Sequence, residues 1–370
     1  MNAIVIGAGL SGAAVASALA QRGAQVTVLD AASAPAAGAS SLPVGLMAPH
    51  VSKDDNLTSQ LVRLGLAHTT REAQRLLVEG TDWQACGALY TPFKGGQPDQ
   101  QPSVWFDSAA WIKPAVLVRA WLAQTGVSFV GNAKVQRIAL ASFNAPGAAN
   151  STTAPLWQVF DATDQCIAQA PAVVVATATA SAQWLPLQLH AVAGQVIYGA
   201  WTDAWQKTNP QREGAKTGKP SHHAVNGNGH FIPAVSGVSG NLPNQAFWLS
   251  GSTYEHDVAT AAVTPQGMQA NCNRLAQLLP STAPLLSTAL QDGSVQAWAG
   301  QRCTTRDRLP AAGAVNASIQ PGLYVSTGMG SRGLSFAALC GEYVAQCIMG
   351  DAVTLSPMMQ KALDPTRFKQ

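Results

Sequence analysis

The chain opens Met1-Asn2-Ala3-Ile4-Val5-Ile6-Gly7-Ala8-Gly9-Leu10-Ser11-Gly12 and, after an alanine-rich run to Arg22-Gly23, continues Val26-Thr27-Val28-Leu29-Asp30. Residues 3–6 are apolar, β-branched and bounded by glycine, the pattern of a buried strand. Gly7 permits a tight turn out of that strand, Gly9 lets a pyrophosphate approach the backbone, and Gly12 lets the following helix settle on the sheet. The helix then presents free N–H groups and the positive end of its dipole to phosphates. Gly23 is placed to end the helix, residues 26–29 make a second strand, and Asp30 stands where an acid can accept hydrogen bonds from a ribose. Strand, glycines, helix, strand and acid in this order predict a dinucleotide site. The bland alternative is a βαβ unit with an ordinary glycine-rich turn. Residues 3–21 are uncharged and about as long as a membrane span. They also have the look of a secretion signal, but no Lys or Arg precedes them and the glycines keep the nucleotide spacing.

At 370 residues the chain exceeds one typical core, so two domains are expected. Charged residues are 11%, well below the roughly 25% of ordinary soluble proteins; apolar residues are 47%, enough for a large core. A net charge of +3 tolerates a polyanionic partner without demanding one. The six cysteines (86, 166, 272, 303, 340, 347) include no Cys-x-x-Cys pair. Without a secretion signal they read as reduced thiols of a cytoplasmic protein. No metal is expected, because the only close histidine pair, His222-His223, is adjacent and has no cysteine beside it. Residues 165–202 lack Asp, Glu, Lys and Arg, yet Gln, Ser, Pro and His run through them, so they read as strands and turns rather than as a span.

Beyond the opening unit, residues 31–49 are rich in Ala, Gly, Ser and Pro and hold Ser40-Ser41. They are either a flexible linker or the lining for the rest of a long cofactor. Asp54-Asp55-Asn56 signals a helix start, and Leu57, Leu61, Leu64 and Leu76 follow near helical spacing. Residues 82–105 read as irregular, with a strand at Ala88-Leu89-Tyr90 and a Gly-Gly-Gln-Pro turn at 95–98. Pro114 suits the first turn of a helix that ends by Gly126, ahead of a strand at 127–130. Residues 134–141 and 156–161 alternate like the strands of a hairpin. Val173-Val174-Val175 is the heart of a buried parallel strand. The small residues from Ala176 onward either approach a nucleotide or simply end that strand in a loop. A second β-rich region begins at Gly194. Residues 199–240 read as loop-rich, and there Lys207, Arg212, Lys216 and Lys219 either touch RNA phosphate or lie on a solvated loop. Residues 247–252 read as strand then turn, and Thr264 and Pro265 open a helix. The last seventy or so residues return to the first domain through strands at 295–300 and 323–327. The turn Gly328-Met329-Gly330-Ser331-Arg332-Gly333-Leu334 then leads into an apolar helix, a second strand–turn–helix candidate for an anion.

The opening fingerprint, the Ser40-Ser41 loop, the Arg302 segment and the Gly328 turn together resemble the FAD-dependent amine oxidoreductases of the D-amino-acid, glycine and sarcosine oxidase type. A narrower set is more telling: Ser52-Lys53-Asp54-Asp55-Asn56, Trp111-Ile112-Lys113-Pro114, Gly251-Ser252-Thr253-Tyr254-Glu255-His256-Asp257, Arg302-Cys303-Thr304-Thr305-Arg306-Asp307-Arg308-Leu309-Pro310, the Gly328 turn and Leu363-Asp364-Pro365-Thr366-Arg367-Phe368. These resemble the oxidoreductase domain of the MnmC family, bifunctional bacterial enzymes of tRNA wobble-uridine modification. The fold expected is α/β. A Rossmann-type FAD-binding domain with a parallel sheet (1–50, 106–190 and 296–370) would join a β-rich α+β substrate domain (51–105 and 191–295), as in D-amino-acid oxidase, with the site between them.

The resemblance implies FAD, held by Gly7, Gly9, Gly12, Asp30, Ser40, Ser41, Val135, Ala176, Gly328, Gly330, Ser331, Arg332, Gly333 and Leu334. By analogy with glycine oxidases it places Arg302 and Arg332 on a substrate carboxylate, which the planar guanidinium fork suits; either could instead be a structural ion-pair partner. None of the seven histidines is assigned as a base, since an amine that arrives neutral needs none. The implied reaction removes the carboxymethyl group of carboxymethylaminomethyl-uridine in tRNA, yielding glyoxylate and aminomethyl-uridine. The family's better-known form carries a methyltransferase domain ahead of this one. Here the fingerprint begins at residue 3, so a methyltransferase is expected, if anywhere, as a separate partner. A free amine or amino-acid oxidase and a non-catalytic flavin-binding scaffold remain as alternatives, and no membrane partner is expected.

Overall fold

The computed structural model describes residues 1–50, 52, 54–94, 97–141, 155–208, 222–237, 245–256, 258 and 260–368. The short apolar runs build a six-stranded sheet in the order Val127–Val130, Gln25–Leu29, Asn2–Ile6, Ala172–Val175, Leu323–Thr327, Ala311–Ala314. The first five strands are mutually parallel, and the last is an antiparallel edge. Alternation along the strands divides their side chains between two cores, as the period of two requires. Ala3, Val5, Val26, Val28 and Val174 face a helical layer made of Leu10–Ala20, Leu57–Leu76, Pro114–Leu122 and Gly333–Met349. Ile4, Ile6, Leu29, Val173, Val175 and Val325 face the other way, onto a three-stranded antiparallel sheet of Arg137–Ala141, Leu156–Phe160 and Cys166–Ala170. A sheet buried on both faces needs near-continuous apolar strands, and the run 172–175 is buried at every position.

The second sheet has eight strands. Leu189–Ala200 pairs with Phe247–Gly251 on one edge and Gln296–Thr305 on the other, and Gly229–Val235, Ala224–Gly227, Ala88–Tyr90 and Val104–Phe106 continue it. One face buries Val196, Tyr198, Ile232 and Leu249. The other packs Ile197, Phe231 and Trp248 against Pro265–Leu278 and Ala283–Gln291. The helix starts read from the sequence are formed as chemistry dictates. Asn56 Oδ1 accepts the Ser59 N–H at 3.1 Å, Thr264 Oγ1 accepts the Gly267 N–H at 3.0 Å, and Pro114 and Pro265 occupy first turns.

Several elements depart from the sequence reading. Residues 199–240, read as loop-rich, contain the hairpin Ala224–Gly227 and Gly229–Val235. Its turn uses Gly229 at φ +101°, and its apolar residues run consecutively rather than alternating. Arg212, Lys216 and Lys219, and Gly95 and Gly96 of the predicted turn, lie outside the described residues, as do Lys53 and Asp257. The strand expected at 295–300 runs Gln296–Thr305 and belongs to the larger sheet, because it supplies the whole second edge of Leu189–Ala200 with backbone partners. The helix Leu57–Leu76, from the range expected to belong to the substrate domain, packs Leu61, Val62, Leu66 and Ala73 into the first core, and Thr69 Oγ1 donates to the Leu334 carbonyl at 2.6 Å. The helix Ala283–Gln291 was not anticipated. Among the described residues no helix is long and apolar enough to cross a membrane, and no cluster of His, Cys, Asp and Glu could hold a metal.

Candidate active site

The first turn of the parallel sheet is shaped around missing side chains. Gly7 leaves its strand at φ +108°, and a Cβ there would stand 2.5 Å from the Ala176 carbonyl oxygen. A Cβ on Gly12 would collide with the Gly7 carbonyl, so the helix Leu10–Ala20 begins directly on the turn. Gly9, its N-cap, has no side chain to satisfy the first amides. Among the described residues the reach comes from Ser40, whose Oγ accepts the Leu10 N–H at 3.0 Å. Asp30 does more than wait for a ribose. Its Oδ2 accepts the Ala8 N–H at 2.6 Å and its Oδ1 the Ala32 N–H at 2.8 Å, which ties the turn to the following loop. A carboxylate has about four lone-pair sites, so acceptor capacity remains. Ser41 Oγ donates to the Gly38 carbonyl at 2.9 Å and accepts from Trp298 Nε1 at 3.1 Å, linking this loop to the strand Gln296–Thr305. Val135 packs in the core with Ile4, Ile6 and Leu29.

The second glycine turn lies beside the first. Gly328 and Gly330 adopt φ +74° and +57°. The Gly330 N–H donates to the Cys303 carbonyl at 2.7 Å, and Thr304 bridges Met329, so the turn is docked on the end of Gln296–Thr305. Gly333 approaches Leu10 of the first helix, Leu334 covers Gly45, and Ser11 Oγ donates to the Ser326 carbonyl at 2.6 Å. Both turns therefore share one end of the parallel sheet, with small residues where a cofactor backbone would pass. Ser331 is exposed. A cradle that any Cβ would fill, bordered by a helix N-terminus, fits the pyrophosphate of a dinucleotide.

The arginines complete the arrangement. Arg302 projects from Gln296–Thr305 across Gly194, where a side chain would strike its guanidinium. Its Nη2 donates to Ser252 Oγ at 2.7 Å and its Nη1 to the Thr253 carbonyl at 3.3 Å, and the group lies 4.6 Å from the centre of the Tyr254 ring. Among the described residues neither Arg302 nor Arg332 forms an ion pair with a carboxylate. Burial pushes the pKa of each down, and the nearby Tyr254 opposes that in both. Tyr254 thus lies within electrostatic reach of both cations. Burial, then the charge of Arg332, also lowers the His50 pKa.

The His230 Nε2 is sealed from solvent and has no partner among the described residues, and the charge of Arg302 reaches the ring. Burial first and Arg302 second push its pKa down to about 4, so the imidazole is neutral at pH 7. Ser252, Tyr254, His50 and His230 had no role in the sequence reading. Ser252 and Tyr254 were quoted within a motif, whereas His230 fell in the stretch taken for loop. A polar groove of about 450 Å³ between the helices, lined by Arg22, His68, Glu72 and Glu342 among others, contains none of these residues.

Fold and cradle define the class: an α/β dinucleotide-cofactor protein whose larger β-sheet carries Arg302, without a carboxylate partner among the described residues. The chain belongs to the FAD dependent oxidoreductase family, whose model matches residues 2–103 and 94–347, and FAD is its cofactor. The tRNA 5-methylaminomethyl-2-thiouridine biosynthesis bifunctional protein MnmC of a Polaromonas species is 41% identical over 404 residues, covering 98% of this chain and 59% of that protein. The protein of the same name from Verminephrobacter eiseniae is 37% identical, with 99% and 63% covered. The chain therefore spans about three-fifths of the length of these relatives. Among solved structures, glycine oxidase from Geobacillus kaustophilus superposes with a TM-score of 0.68 at 17% identity, covering 100% of this chain and 99% of that one. L-Proline dehydrogenase from P. horikoshii gives 0.67 at 14%, covering 100% and 97%. At such identities the likeness is one of fold.

Proposed function

We propose that this FAD-dependent oxidoreductase acts on the CH–NH group of an N-substituted glycine. Its substrate is the carboxymethylaminomethyl side chain of a tRNA wobble (2-thio)uridine, and its products are aminomethyl-uridine and glyoxylate. The observation that carries this reading is Arg302: a partly buried guanidinium with no carboxylate partner among the described residues, held by Ser252, Thr253 and Tyr254. A charge so placed lacks its anion, and the planar fork accepts a carboxylate through two charge-assisted bonds. Because His230 is neutral, it neither competes with the substrate for that charge nor adds to it. Arg332 supplies a second cation within electrostatic reach of Tyr254. Bound FAD supplies the hydride acceptor. The task left to the protein is to fix the glycine carboxylate so that its methylene stands at the cofactor, an orientation effect on the reacting bond. The resulting imine hydrolyses in water.

In this reading the six-stranded sheet and its two turns serve the cofactor, and the eight-stranded sheet serves the substrate. The tRNA is the macromolecular partner, and cytoplasm is where such a substrate is met. The names of the long relatives support a pathway role, and a methyltransferase, fused or separate, would act next on the aminomethyl product. The test is to incubate the FAD-loaded protein with tRNA bearing the carboxymethylaminomethyl group and to analyse the digested nucleosides. Aminomethyl-uridine with an equivalent of glyoxylate is the expected result. Unchanged nucleosides together with oxidation of sarcosine or glycine would replace this reading with a free-amine oxidase. A flavin that no amine reduces would leave only a scaffold.

A further inference from the structure

Two of the motifs that marked the sequence meet in space, and beyond Arg302 itself the catalytic reading uses neither. The strand that carries Arg302 ends at Thr305 and turns through Arg306-Asp307-Arg308. Asp307, the only acid of the turn, is consumed internally. It accepts from Thr305 Oγ1 at 2.9 Å and the Leu309 N–H at 3.1 Å, and it pairs with Arg367 through bonds of 2.8 and 3.1 Å. Arg367, from the C-terminal segment, also donates to the Leu309 carbonyl at 2.8 Å and the Asp364 carbonyl at 2.9 Å, and it stacks 4.0 Å from the Phe368 ring centre. The Asp364 carboxylate is in turn occupied by Thr366.

What remains outward is positive. Arg306 and Arg308 are exposed, and among the described residues neither has an ion-pair partner. Arg308 holds φ +63°, a left-handed conformation in which glycine would avoid a cost of roughly 1 kcal/mol. The turn also borders the site. Thr304 bridges Met329, and Arg308 stands near enough to Arg332 for its charge to lower the Arg332 pKa. In a chain with only 11% charged residues, two arginines flanking an acid already taken by Arg367, and without ion-pair partners among the described residues, are a local feature, not a general basic surface.

We propose that the Arg306–Arg308 turn, clamped from behind by Arg367, binds the phosphodiester backbone of the RNA strand whose modified base enters the site at Arg302. This rests on the tRNA reading and adds to it the surface that tells a nucleotide in RNA from a free amine. Arginine suits phosphate because its fork can bond two oxygens at once. Each phosphate neutralised also releases counterions, which makes binding salt-dependent.

The experiment measures binding of tRNA bearing the carboxymethylaminomethyl group to the FAD-loaded protein by fluorescence anisotropy across salt concentrations. Wild type is compared with Arg306→Gln/Arg308→Gln and with Arg306→Lys/Arg308→Lys. Flavin content and thermal midpoint are recorded for each and are expected to stay at wild-type values. The glutamine pair is expected to bind about tenfold more weakly near 0.15 M salt, with a log–log salt slope smaller by about 1–2. The lysine pair is expected to keep most of the slope. Wild-type affinity and slope in the glutamine pair would overturn the inference and leave the function standing. Equal loss in both pairs would also overturn it, because charge would not be the cause. A wild-type protein that does not bind this tRNA at all would overturn both.

Discussion

The two halves of the site differ in how their polar groups are satisfied. Around the first glycine turn, the strong groups find partners within the fold. Asp30 takes the Ala8 and Ala32 amides, Ser40 takes Leu10, and Ser41 joins Gly38 to Trp298. Across the site, Arg302 and Arg332 have no carboxylate among the described residues, and His230 keeps an unpartnered Nε2. The first half is a finished scaffold, which in the proposed reading recognises its cofactor with backbone and shape. The second holds uncompensated positive charge that an incoming carboxylate would complete. Leaving a buried polar group unsatisfied costs stability, and such costs are characteristic of binding sites rather than of scaffolds.

The largest effect that could break this contrast is at Arg302. Arg302→Ala should lose roughly 3–5 kcal/mol of transition-state binding, a fall of some hundredfold to several thousandfold in kcat/KM for an N-substituted glycine, with FAD retained. Steady-state kinetics and the flavin spectrum check it together; unchanged kcat/KM would dismiss Arg302 as the carboxylate site.

Next is the pH response of His230. The folded protein refuses, down to about pH 4, a proton that the unfolded chain accepts near 6.5. Stability should therefore fall as pH drops from 6.5 to 4, by up to roughly 3 kcal/mol, and this contribution should level off below. His50 and His222 shift in the same direction, so the diagnostic is the difference between wild type and His230→Gln in urea titrations at pH 6.5 and 4. The variant should show the smaller loss.

On the scaffold side, Gly12→Ala drives a Cβ into the Gly7 carbonyl. It should cost about 1–3 kcal/mol of stability and weaken FAD retention, measured by flavin release on dilution. The smallest effect is at a helix start remote from both turns. Thr264→Ala should cost about 1 kcal/mol in urea unfolding and leave kcat/KM unchanged.

The same contrast explains what the sequence could disclose. The cofactor half is written in contiguous residues, because strand, turn, helix and acid act within one βαβ unit and their spacing is fixed by its geometry. The strand–turn–helix built on Gly7, Gly9 and Gly12 was legible for that reason, although Asp30's duty to the Ala8 and Ala32 amides was not. The substrate half is assembled from separate strands. Arg302 meets Ser252 and Tyr254 only because Leu189–Ala200 lies between their strands, and His230 arrives by a hairpin whose Asn-Gly-Asn-Gly turn resembled loop. Resemblance pointed to the arginines, while their neighbours required the sheet. The strand Gln296–Thr305, expected within the cofactor-domain range, pairs with Leu189–Ala200 of the larger sheet, because a short apolar run does not declare its partner.

The most direct test of the central claim is the anaerobic flavin spectrum of the FAD-loaded protein mixed with tRNA that carries, or lacks, the carboxymethylaminomethyl group. The account expects the oxidised flavin to bleach only with the modified tRNA, and Arg302→Ala to abolish or greatly slow that bleaching. A flavin that stays oxidised with the modified tRNA, or one that bleaches equally well in Arg302→Ala, would contradict it.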